Sequence, residues 1–81
     1  MEMNYKIADT RKIMDYITTR QESVTVEDIM QHSGADKLRV YPALFELEQD
    51  GWLEVVEREE LGAPLAVRKR REAPAAWHGS V

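Results

Sequence analysis

The chain has 81 residues, 43% of them hydrophobic, with no cysteine and a formal net charge of −4, which allows one small domain and excludes disulfide bonds or thiolate metal sites. No apolar run approaches the roughly 18 residues of a membrane span, and the N-terminal segment lacks the apolar stretch of a signal peptide, so a soluble cytoplasmic protein is expected. The net charge argues against a generic polyanion binder, but charge is segregated, with eleven acidic and three basic side chains in residues 21–60 against four basic and one acidic in residues 61–81, which leaves room for a local basic patch.

Ile13, Met14, Tyr16 and Ile17 recur at helical spacing and predict a first helix over about residues 9–20, capped by Asp9 or Thr10. The polar stretch "TRQES" ends it. A second helix opens on the clearest start signal in the chain. Thr25 as N-cap with Asp28 three residues later resembles a capping box, and Val24 and Ile29 occupy hydrophobic-staple positions across it. Val26, Ile29 and Met30 form its apolar face, and Ser33-Gly34 closes it, Gly34 being free to take the positive φ of a C-terminal turn.

The third helix ends at Gly51. Were Asp36 its cap, Pro42 would remove a hydrogen bond to the Leu38 carbonyl. A turn or kink is therefore expected over residues 37–41, with regular helix from about Tyr41. Val40, Leu44 and Leu47 form its buried stripe, with Phe45 partly off it. Beyond Gly51, "WLEVVERE" and "LAVRKR" flank the turn signal "LGAP" and predict two antiparallel strands, residues 52–59 and 65–70. Trp52 or Leu53 should pack against the third helix. The element order is α+β and that of a winged helix-turn-helix: three helices followed by a two-stranded antiparallel wing, over residues 1–71. Residues 72–81 read as a flexible C-terminal tail carrying Trp77.

The stretch "VYPALFELEQDGWLE" resembles the core of the PadR-type winged-helix transcriptional regulators. The resemblance lies in Tyr41-Pro42, Leu44, Leu47-Glu48, Gly51 and Trp52-Leu53. The frame Leu-x-x-Leu-Glu-x-x-Gly is common to many winged helices, and the Tyr-Pro pair in register with it narrows the match. Phe45 and Glu46 stand where that family commonly carries a basic or histidine pair. The chain resembles a short form without the family's C-terminal dimerisation region. The resemblance implies a homodimer binding double-stranded DNA, with the third helix in the major groove and the wing on the backbone. Tyr41, Arg68 and Lys69 would then face DNA.

Residue chemistry adds candidates to that site. Lys37 and Arg39 stand at the start of the third helix, the part of a recognition helix that contacts bases or phosphates. The run Arg68, Lys69, Arg70 and Arg71 is suited to phosphate contact; alternatively, it is a solvated strand end pairing with Glu57, Glu59 and Glu60. A carboxylate at Glu46 on a phosphate-facing helix would repel DNA. Phe45, if exposed, suggests a protein surface, so the alternative is a protein-interaction module using Phe45, Glu46 and Trp77. Subunit contact is expected from the first helix or the Trp77 tail, as a two-fold pair. His32 and His78 lack metal spacing or a nucleophile motif, and no glycine-rich phosphate loop occurs. Neither catalysis nor a cofactor or metal is expected.

Overall fold

The computed structural model describes residues 5–20 and 22–72. Their element order is α1 (Tyr5–Thr19), β1 (Val24–Thr25), α2 (Val26–His32), α3 (Lys37–Gln49), β2 (Leu53–Arg58) and β3 (Pro64–Lys69). Helix α1 begins before the expected cap. Asp9 and Thr10 lie inside it, both buried, and the Thr10 hydroxyl donates to the Lys6 carbonyl at 2.8 Å. That bond ties Thr10 to its own preceding turn, a mid-helix use of the hydroxyl and not a cap.

The start of α2 follows its sequence signal. Thr25 Oγ1 accepts from the Asp28 N–H at 3.1 Å, and Val24 and Ile29 are both buried across the cap. An N-cap residue keeps an extended backbone, and Thr25 has φ −80° and ψ 153°. The same extension lets Val24 and Thr25 pair with β3, opposite Val67 and Ala66. The sheet is therefore three-stranded and antiparallel, in the order β1-β3-β2. This corrects the expected two-stranded wing: a two-residue strand is too short to leave an alternating pattern and hides inside a helix-start signal.

Helix α3 is continuous from Lys37, so helical residues stand where a turn was expected over residues 37–41. Asp36 caps it, accepting from the Leu38 N–H at 2.8 Å, and Pro42 lies inside the helix. The carbonyl deprived of a bond by Pro42 belongs to Leu38 in the first turn. Leu38 is 86% exposed, so water can satisfy that carbonyl and the break costs little. At the other end the Gly51 N–H donates to the Glu48 carbonyl at 3.1 Å and the Trp52 N–H to the Leu47 carbonyl at 3.0 Å. With Gly51 at φ +79°, this pair of bonds is a Schellman motif, which turns the chain sharply into β2.

Strands β2 and β3 pair antiparallel, with Leu53 opposite Lys69, Glu54 opposite Arg68 and Val55 opposite Val67. The connecting turn is closed by Gly62 N–H to Glu59 O at 2.9 Å and Glu59 N–H to Ala63 O at 2.8 Å. The core joins Ile13 and Ile17 of α1, Ile29 of α2 and the Val40, Leu44 and Leu47 stripe of α3 to Trp52, Leu53 and Val67. The architecture is α+β, with three helices and a three-stranded sheet, and is compatible with a winged-helix arrangement. Among the described residues no helix is long and apolar enough to cross a membrane. The expected tail from residue 73 onward, Trp77 included, lies outside the described residues.

Candidate nucleic-acid interface

Spacing of i, i+4, i+7 and i+11 places Leu38, Pro42, Phe45 and Gln49 along one face of α3. All four are exposed, opposite the buried stripe. Phe45, which sequence left open between core and surface, is 47% exposed. Lys37 is exposed at the start of the helix and Arg39 is half-buried. Tyr41 is half-buried too, packed against the core and lining a shallow hollow with Val26, Met30 and Leu65.

The acidic residues of α3 are turned into ion pairs. Glu46 meets the Lys6 ammonium of α1 at 2.9 Å, and its side chain is only 19% exposed. Glu48 accepts from Arg58, whose second guanidinium nitrogen donates to the Gly62 carbonyl at 3.0 Å. Arg58 thus pins the β2–β3 turn to the C-terminal half of α3. Sequence alone could not show that both carboxylates have cations waiting, because those cations lie 40 residues upstream and ten downstream.

The pairing of Glu46 changes what its substitution should do. Glu46→Gln keeps the shape and removes the charge that Lys6 meets. Because the ammonium is 43% exposed, screening limits the loss to roughly 0.5–1 kcal/mol of stability. Affinity for duplex DNA should stay within about two-fold of wild type, since this carboxylate faces α1 and its field is already neutralised at contact distance. Thermal unfolding and fluorescence anisotropy check the two halves; a large gain in affinity would put Glu46 back on the exposed face.

The basic run lies at the base of the hairpin, where β2 leaves α3. The Arg70 N–H donates to the Trp52 carbonyl at 2.9 Å, and the Lys69 ammonium sits 5.6 Å from the centre of the Trp52 ring. Arg68 pairs with Glu54, its partner in the strand register, and Arg70 lies 3.9 Å from Glu72. Arg71 is exposed. Glu57, Glu59 and Glu60, the partners expected from sequence, are instead at the turn end of the hairpin, exposed around Leu61, which is 98% exposed.

The expected cations therefore do not merge into one patch. Lys37 and Arg39 are at the start of α3, and residues 68–71 are near its end, separated by about 18 Å of helix rise. Between them runs an outward face whose residues from 37 to 45 include no carboxylate. No protein-family model matches the chain, and no curated protein or solved structure matches it.

Proposed function

We propose that this chain is a winged-helix DNA-binding protein, a transcriptional regulator resembling the PadR type and acting as a homodimer. On this reading α3 enters the major groove and the β2–β3 hairpin is the wing. One observation carries it: Glu46 and Glu48 are neutralised by Lys6 and Arg58, so α3 offers an uncharged face with cations at both ends. A major groove is about 12 Å wide with phosphates on either side. Lys37 and Arg39 suit one phosphate wall and residues 68–71 the other. The wing then touches the backbone from its base.

The test is fluorescence anisotropy with a random-sequence duplex across a salt series. Four to six phosphate contacts correspond to a log–log slope of about −4 to −5, and a slope of that size supports the proposal. A second reading, a protein-interaction module without intrinsic DNA binding, is favoured by the exposure of Leu38 and Phe45 and by Leu61 among the turn glutamates, since phosphates offer such groups nothing. Absence of binding at the lowest salt selects that reading.

A further inference from the structure

We infer that α3 reads the methyl groups of thymine, through Leu38 and Phe45 with Pro42 between them. The inference rests on the DNA-binding reading and names what that face would recognise. Direct readout by hydrogen bonds needs side chains such as Arg, Lys, Asn or Gln aimed at base edges. The outward face of the N-terminal two-thirds of α3 is Leu38, Pro42 and Phe45, none of which carries a polar side-chain group. Gln49 comes one turn later, beyond the segment that approaches the groove most closely. Arg39 and Tyr41 are half-buried on the flanks.

An apolar side chain finds one distinctive partner on the floor of the major groove, the C5-methyl of thymine. Leu38 is 86% and Phe45 47% exposed, so both have apolar surface still to remove from water. Their separation of seven residues corresponds to about 10.5 Å of helix rise, or about three base-pair steps. The contacted thymines should therefore fall within a window of three to four base pairs, while the cations at the two ends of α3 supply affinity without sequence preference.

Four duplexes of equal length separate the possibilities: alternating dA-dT, alternating dA-dU, alternating dG-dC, and dG-dC with 5-methylcytosine. Uracil deletes the methyl and leaves the hydrogen-bonding groups unchanged; 5-methylcytosine adds one to a G·C background. Wild-type protein should bind dA-dT more tightly than dA-dU by about four-fold per contacted methyl, the worth of one buried apolar carbon. Methylation of cytosine should strengthen binding in the same sense. The double variant Leu38→Ala/Phe45→Ala should bind dA-dT no better than dA-dU. Leu38 is 86% and Phe45 47% exposed, so the double variant should lose at most a few degrees of unfolding temperature and stay folded in the assay. Lys37→Gln should weaken dA-dT and dA-dU binding equally. Equal wild-type affinity for dA-dT and dA-dU overturns the thymine reading alone, as does a double variant that keeps the full preference. Failure to bind any of the four duplexes at low salt overturns DNA binding itself, and this inference with it.

Discussion

Changing Arg68, Lys69, Arg70 and Arg71 together to glutamine is expected to lower affinity for duplex DNA by about a hundred-fold or more at low salt. Each phosphate neutralised contributes about 0.9 to the slope of log affinity against log salt. Two of the four cations already have carboxylate neighbours, Arg68 with Glu54 and Arg70 with Glu72. Those pairs are largely exposed and worth little, so a phosphate can replace the carboxylate. The slope should accordingly shrink by about 2 if only Lys69 and Arg71 reach the backbone and by about 4 if all four do. All four are solvent-exposed, so the fold should survive, which thermal unfolding checks. Glutamine at Glu57, Glu59 and Glu60 is the matched control, since those groups sit at the far end of the hairpin. An unchanged slope in the four-fold variant would remove residues 68–71 from the interface and favour the protein-binding reading.

Where local chemistry decides structure, the residues announced it. Thr25 with Asp28 marked the start of α2, and Gly51 marked the end of α3, because a cap and a left-handed turn are decided within four or five neighbouring residues. The same locality misled at Pro42. Read alone, a proline one turn and a half into a helix argues for a break, yet the only carbonyl it strands belongs to the solvent-facing Leu38. Strand β1 was hidden because its pairing depends on Val67 and Ala66, more than 40 residues away.

The candidate site divides in the same way. Its members could be named from residue type, but their grouping could not. Whether Lys37 and Arg39 join residues 68–71 depends on the direction in which the hairpin leaves α3, and the Schellman turn with the Arg70–Trp52 bond puts the run at the hairpin's base. Whether Glu46 opposes DNA depends on Lys6, a residue of another helix. Charge composition of a segment says little about the charge a partner meets once such pairs have formed.

The largest expected effect on the molecule itself is at Trp52. The residue is 4% exposed, and it joins three parts of the fold. Its N–H closes the Schellman turn on Leu47, its carbonyl receives the Arg70 N–H, and its ring lies under the Lys69 ammonium. Trp52→Ala should cost about 3–5 kcal/mol through lost burial and the cavity left behind. A chain of this size has a total stability of only about 4–12 kcal/mol, so the variant should be partly or wholly unfolded at 37 °C. Trp52→Phe keeps an aromatic ring in the same place and should cost under about 2 kcal/mol. Urea unfolding followed by far-UV circular dichroism measures both, with a lowered midpoint and an unchanged slope expected for each. The functional consequence separates this residue from the cations beside it. The alanine variant should lose DNA binding in proportion to its unfolded fraction and recover it on cooling at constant salt. The four-fold glutamine variant should stay folded and remain weak at every temperature. If Trp52→Ala unfolds at the wild-type urea concentration, the indole is not the joint between helix and hairpin, and the basic run must be held in place by the strand ladder alone.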